Sequence, residues 1–277
     1  MNDGTPVANH LRDLAFELKR AQDSMSQVEA LTSRFPAFDL AAAYEVAHVI
    51  HGERVAEKAR PIGRKIGFTN SALWPRFGVS QPVWAYVYDT TVIELRDAHA
   101  TFSLRNLVEP KIEPEIIFKL HELPARGAGP VELLKSVEWV AHGFEIVQSH
   151  YPGWKLKAAD AVADSGLHGA LLIGPPRSVE QCGHEILAAL QSFTLSVTCD
   201  DLHIATGTGS NVLGSPLDAV VHLLALLATQ RSAAPLQAGE IITTGTITGA
   251  HSGQAGQIWR THVAGIALPG LAVELIE

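Results

Sequence analysis

Residues 108–120 read VEPKIEPEIIFKL, an apolar segment in which Glu113 and Glu115 stand two positions apart. On a β-strand successive side chains alternate faces, so Ile112, Pro114 and Ile116 point one way and the two acids the other. Like charges at that spacing repel, which leaves a fold two ways to keep them. Either the acidic face is solvated on an edge strand, where Pro114, unable to donate to a ladder, would fit. Or a cation sits between the carboxylates, and hard oxygen ligands suit Mg²⁺ or Mn²⁺. Glu145, in FEIVQS, is the best third ligand, because an unpaired charge between Phe144 and Ile146 in an apolar strand would be costly. Glu109 shares the parity of Glu113 but lies farther along, and Glu138 falls on the polar face of a predicted helix; both are weaker candidates.

Around this strand the texture is mixed. Thr5 and Pro6 predict a helix start, with Val7, Leu11, Leu14, Ala15 and Leu18 on one face. A second helix is predicted from Asp39, with Leu40, Ala43, Tyr44, Ala47 and Ile50 inward. From RPIGRKIGF onward, short β-branched runs broken by Gly and Pro predict a β-rich core. The reading is a helical segment over residues 1–60 and a β-rich core over 61–277. Within the core, Pro130–Ala141 predicts a helix with Leu133, Leu134, Val137 and Val140 buried, ended by Gly143. Ser215 and Pro216 predict another helix start. GEIITTGTITG, QIWRTHVAG and LAVELI predict strands folded back into a sandwich or roll. The fold class is therefore α+β.

The chain's 277 residues, 47% of them hydrophobic, suffice for a full core. A net charge of −8 provides no broad basic surface, so nucleic acid and anionic membrane are not expected partners, and a small-molecule site is. The apolar run AVVHLLALLA is about half a bilayer-spanning length, and the N-terminal residues show no apolar leader pattern. Cys182 and Cys199 fit neither a redox pair nor a zinc site, which predicts reduced thiols and a cytoplasmic location. Trp74, Trp84, Trp139 and Trp154 are read mainly as core, with pocket walls as the alternative.

GRKIGFT, EPKIEPEI, FEIVQS, AVADSGLHG, ATGTGSNVLGSPLDAVVHLLALLA and LQAGEIITTGTITGA occur in the order and at about the spacing of a known family. From about residue 40 to the C-terminus the chain resembles the hydratase/decarboxylase family of the fumarylacetoacetate hydrolase superfamily. That family includes 2-hydroxypenta-2,4-dienoate hydratase and 4-oxalocrotonate decarboxylase. The resemblance implies a mixed β-sandwich or roll of the fumarylacetoacetate hydrolase C-terminal-domain type. It implies that Glu113, Glu115 and Glu145 hold Mg²⁺ or Mn²⁺, which would chelate a 2-oxo acid through its C1 carboxylate and C2 oxygen and stabilise a dienolate.

Residue by residue, the resemblance places Lys65 beside the metal, to neutralise enolate charge or move a proton. Asp164 and Ser165 fall on a loop near the substrate, where the family has Asp-Asn or a similar pair, so Ser165 is a departure. His168 is a candidate contact for the substrate's distal end. Thr208, Gly209 and Ser210, and Thr244, Gly245 and Thr246, resemble loops that offer amides and hydroxyls to a carboxylate. Val83 stands where the hydratases are expected to carry an acid, which leans the reading toward decarboxylation of a 2-oxo-enedioate, with 2-keto-4-pentenoate hydratase as the alternative. Two other classes remain: an acylpyruvate-cleaving hydrolase, which needs a histidine–acid pair that is not found near GRKIGFT, and a catalytically silent binding subunit. His142 and His150 flank the Glu145 strand without an assigned place. Homo-oligomers, and association with a pathway partner enzyme, are expected by the same resemblance.

Overall fold

The structure, a computed structural model, describes residues 8–230 and 233–277, so the predicted cap at Thr5 and Pro6, with Val7, lies outside it. Three helices come first: α1 (Ala8–Ser24), α2 (Leu31–Arg34) and α3 (Leu40–Ala56). Five more are distributed among the strands: α4 (Trp74–Phe77), α5 (Pro130–Lys135), α6 (Ala158–Ala163), α7 (Ile186–Ser192) and α8 (Pro216–Thr229). Asp39 caps α3 as its sequence predicts, its carboxylate accepting from the Ala42 amide at 2.9 Å. Leu14, Leu18, Ala43, Val46 and Ile50 of α1 and α3 pack with Ala159, Val162 and Ala163 of α6 into an apolar cluster that also takes in Val83 and Tyr151. The N-terminal helices thus share a core with a helix more than a hundred residues away.

One sheet runs in the order β2 (Val83–Tyr88), β1 (Pro61–Gly67), β11 (Ile241–Thr246), β5 (Lys111–Leu120), β6 (Val137–Val147), β7 (His168–Ile173), β3 (Val92–Glu94). The two-residue strands β12 (His251–Ser252) and β8 (Arg177–Ser178) add to β5 and β6. A second sheet has the order β10 (Leu202–Thr208), β9 (Thr194–Cys199), β13 (Ile258–Ala264), β14 (Ala272–Ile276), β4 (His99–Ser103). β2 and β3 stand at opposite ends of the first sheet, yet only Asp89–Thr91 connects them. Three residues reach roughly 10 Å, whereas six strand spacings laid flat would separate those ends by about 29 Å. The sheet must curl, and its two faces become an inside and an outside.

The outer face carries Ile66, Trp84, Ile112, Ile116, Phe118, Phe144, Ile146 and Leu172, packed against Leu195, Val197, Trp259 and Val273 of the second sheet and against α8. Ser215 caps α8 by accepting from the Leu217 amide at 3.1 Å, with Pro216 in its first turn. Its apolar run, including Leu217, Val220 and Leu223, is buried in this core. The inner face carries Val87, Ile117, Ala141, Leu171, Ile173 and Ile241. Lys65, Glu113, Glu115 and Glu145 have the same strand parity as these residues.

Two expectations are corrected. The predicted helix over Pro130–Ala141 stops at Lys135, and Val137–Val147 is β6, so Val137 and Val140 are strand core and Gly143 lies inside a strand. Val137, Trp139 and Val140 favour a pleated surface, and the pairing of β6 with both β5 and β7 overrides the local helical spacing. β5 is an interior strand, not an edge. Pro114 is accommodated there because β11 shifts register between Thr243 and Thr246, where the Pro114 carbonyl accepts instead from the Ile247 amide at 2.9 Å.

Gly143 lies opposite Glu115. A Cβ there would stand 2.4 Å from Ile117 Cδ1 and 2.5 Å from the Leu172 carbonyl oxygen. Gly143→Ala should therefore lower stability by about 1–3 kcal/mol, read as a drop in the urea midpoint. An unchanged midpoint would mean that β5, β6 and β7 are less closely apposed than described.

Candidate metal centre

The register of β5 against β6 sets Glu113 directly opposite Glu145 and Glu115 opposite Gly143. Glu115 lies two residues along on the same face, and one oxygen from each of the three acids falls within 4.8 Å of the others. Glu115 and Glu145 are fully buried, and Glu113 is half-buried. Lys65, 4% exposed on β1, sets its Nζ 3.0 Å from Glu145 Oε1. His168 donates to the same oxygen from Nδ1 at 2.7 Å, while its Nε2 lies 2.9 Å from the Thr91 hydroxyl. Glu115 Oε2 accepts from the Gly245 amide at 2.8 Å and from the Thr243 hydroxyl. Glu115 Oε1 and Glu145 Oε2 are buried without a hydrogen-bond partner.

Three acids therefore share the Lys65 ammonium, with Lys111 adding its charge at Glu113, and their proton affinities diverge. Burial pushes Glu113 up to about 7, Lys65 opposing and Glu145 adding to the rise. Burial also pushes Glu115 well above the usual carboxylate range, and the neighbouring Glu145 and Glu113 charges add to it. Burial works against ionisation of Glu145 too, but Lys65 and His168 outweigh it and hold Glu145 down at about 2. Burial alone would lower Lys65, yet the three glutamates raise it, so it stays an ammonium. Two orphaned carboxylate oxygens aimed into a shared space, beside acids short of counter-charge, fit a hard divalent cation.

The loop after α6 presses on this group. Gly166 has φ +66°, and a Cβ on it would stand 3.0 Å from Lys65 Cδ and 2.8 Å from Ala85 Cβ. Just before it, Asp164 is buried against His150, with His150 Nδ1 2.8 Å from Asp164 Oδ1. The Gln22 amide donates to Asp164 Oδ1 at 3.0 Å and to the Ser165 hydroxyl at 3.2 Å. A cleft of about 440 Å³ is lined by His150, Asp164, Ser165 and His168, with Tyr86, Tyr88 and Arg54 also on its wall.

The other sequence-derived candidates make contacts of their own. The Thr208 and Ser210 hydroxyls pair with each other at 2.8 Å, at the end of β10 in the second sheet, with Gly209 buried between them. Thr244 donates to the Ile116 carbonyl at 2.9 Å and serves the ladder; Thr246, opposite Glu115, turns its hydroxyl to the Gly249 carbonyl. Of that loop only the Gly245 amide meets a carboxylate of the trio. Glu109 accepts from Gln27 and the Gly153 amide, and Glu138 pairs with Lys119, so neither joins the trio. Val83 is 2% exposed among the helix cluster. Cys182 and Cys199 are both free thiols. Sequence reasoning missed Thr243, Thr91, Gln22 and the His150–Asp164 contact, because each depends on strand register or on pairs far apart in the chain.

Curled sheet, covering sheet and acid trio together define the class: an α+β protein of the fumarylacetoacetate hydrolase type, with a site built of carboxylates and one lysine. The chain belongs to the Fumarylacetoacetate (FAA) hydrolase C-terminal family, whose profile matches residues 85–270. It is 30% identical over 259 residues to a 2-keto-4-pentenoate hydratase of Paraburkholderia xenovorans (strain LB400), covering 92% of this chain and 91% of that one. It is 29% identical over 208 residues to a 4-oxalocrotonate decarboxylase of a Pseudomonas species, covering 75% and 77%. Its fold superposes on the 4-oxalocrotonate decarboxylase from Pseudomonas putida G7, complexed with magnesium and adipate, with a TM-score of 0.88 at 24% identity over 98% and 99% of the two chains. These relatives are lyases.

The titrations give a signed prediction for the metal-free protein. Glu113 is raised from the usual 4.5 to about 7, so its contribution is complete below pH 4.5 and is lost as pH rises through 7; Glu115, also raised, acts with the same sign. Glu145, lowered to about 2, acts in the opposite window, lost only as pH falls from 4.5 toward 2. Metal-free protein should therefore lose on the order of 2–3 kcal/mol between pH 5 and 8 through Glu113 alone, and Glu113→Gln should remove that part of the slope. Urea denaturation across that range measures it.

Proposed function

We propose that the chain is a divalent-metal-dependent lyase acting on a 2-oxo-enoate, and that it decarboxylates a 2-oxo-enedioate of the 4-oxalocrotonate type. The observation that carries this reading is the convergence of Glu113, Glu115 and Glu145 within 4.8 Å beside a buried lysine. Those three residues would hold Mg²⁺ or Mn²⁺, whose chemistry when bound is to polarise the carboxylate and carbonyl oxygens of a 2-oxo acid. The chain's own residues do the rest. Lys65, held as an ammonium by the glutamates, faces the negative charge that gathers on the C2 oxygen as the distal C–C bond breaks and its electron pair moves along the conjugated chain. His168 fixes Glu145 from the other side, so the ligand cannot swing toward solvent. The cleft of about 440 Å³ that His168 lines gives the rest of the substrate a place next to Glu145.

Val83 supports decarboxylation, because it is closed into the helix cluster and offers no acid to manage a water molecule. A hydratase acting on 2-hydroxypenta-2,4-dienoate is the second reading, favoured by the 30% identity to a protein of that activity. The acylpyruvate-cleaving alternative regains a histidine–acid pair in His150 and Asp164, though not where the GRKIGFT segment was searched for one.

Metal-dependent CO₂ release from 2-oxo-3-hexenedioate, followed with and without Mg²⁺ or Mn²⁺, tests the reading. Glu113→Ala should abolish both metal binding and turnover in a folded protein, and full activity in that variant would remove the metal assignment. Lys65→Ala should leave metal bound while lowering kcat about 10²- to 10³-fold, the scale of losing one preorganised charge; an unchanged rate would reduce Lys65 to a structural partner of Glu145.

A further inference from the structure

The mechanism above leaves one buried group on the cleft wall without work. His150 is 1% exposed, and its Nε2 is buried with no hydrogen-bond partner. Its other nitrogen is committed: Nδ1 lies 2.8 Å from Asp164 Oδ1 and 3.0 Å from Oδ2. Asp164 also accepts from the Gln22 amide at 3.0 Å and from the His150 backbone amide at 3.2 Å. Every neighbour that donates to Asp164 does so as to a carboxylate, which requires the proton on Nδ1. In the neutral ring Nε2 then carries a free lone pair. A donor-only carboxylate shell, an oriented imidazole and an unpartnered nitrogen together form the arrangement of a general base held ready by an acid.

The pair also borders the cleft. His150 and Asp164 line the same cleft as His168, which touches Glu145. Two residues beyond Asp164, Gly166 lies against the Lys65 stem. The lysine and the carboxylate trio thus flank one part of the site, and the imidazole stands on the wall of the adjoining cleft.

Resting on the lyase reading, we propose that His150 is the acid–base residue for the terminal carbon of the dienolate, with Asp164 as its positioning residue. Loss of CO₂ leaves an electron pair delocalised from the C2 oxygen to C5. Protonated His150 gives its Nε2 proton to C5; a C5–H bond forms, the C4–C5 double bond moves to C3–C4, the C2 carbonyl re-forms, and the imidazole is left neutral. The reverse transfer removes a C5 proton and regenerates the dienolate. Metal binding needs neither residue.

The test is proton exchange at C5. Wild-type protein with Mg²⁺, incubated in D₂O with 2-hydroxypenta-2,4-dienoate, should place deuterium on C5 of the 2-oxo-3-enoate, seen by proton NMR above the spontaneous rate. His150→Gln keeps an amide donor for Asp164 but cannot shuttle a proton. It should retain its melting temperature and its Mg²⁺ affinity by calorimetry, while exchange falls at least 100-fold. Asp164→Asn should lower kcat for exchange at least 10-fold at an unchanged KM, and Asp164→Glu should restore part of it; a purely structural Asp164 would lower melting temperature with no such split. Exchange in His150→Gln within twofold of an active wild type overturns the proposal and leaves the lyase reading intact. A wild type with neither CO₂ release nor exchange overturns the lyase reading, and this proposal with it.

Discussion

Everything at this site follows from a shortage of positive charge. Three carboxylates face one space; the Lys65 ammonium pairs with one of them, and Lys111 adds its charge at Glu113, less than the three acids need. Coulomb repulsion at those separations in a buried setting is far larger than any solvated surface pair would feel. The protein resolves part of it by committing Lys65 and His168 to Glu145. Glu113 and Glu115, left over, have their proton affinities raised instead. A divalent cation would replace those protons, and the two orphaned oxygens show where its bonds are missing.

The fold creates this shortage through register. Glu113 and Glu145 oppose each other only because β5 and β6 pair as they do; a slip of one residue would turn both acids into the intersheet core. That register is held on several sides. Ile112, Ile116, Phe144 and Ile146 fill the outer face, His142 bridges the Glu115 carbonyl at 3.0 Å and the Thr261 hydroxyl at 2.8 Å, and Gly143 lets Ile117 and the β7 backbone close over it. Stability of the sandwich and geometry of the site are therefore the same structural fact seen from two faces of one sheet.

Much of this was legible in the chain, and the boundary of legibility has a physical cause. Period-two alternation shows that Glu113 and Glu115 share a face, and an acid in FEIVQS with apolar neighbours points to Glu145; each is a local signal. The Asp39 cap and the Ser215–Pro216 helix start are equally local, and the structure has both. Residues 137–141 were misread because valines at helical spacing also suit a buried strand, and only pairing on both sides decides between them. Thr243, Thr91 and the His150–Asp164 contact depend on register and loop closure, which no local pattern encodes. The family resemblance supplied Lys65, and it offers Thr208, Ser210 and Thr244 as substrate contacts, whose hydroxyls here bond to one another and to the backbone.

The most direct measurement is calorimetric titration of metal-free protein with Mn²⁺ at pH 7 in two buffers of different ionisation enthalpy, which gives stoichiometry and proton release together. With Glu113 titrating at about 7 and Glu115 raised by burial, one ion should bind per chain and displace protons as it does so. Binding without proton release, or no binding at all, would contradict the claim that this acid trio is a cation site.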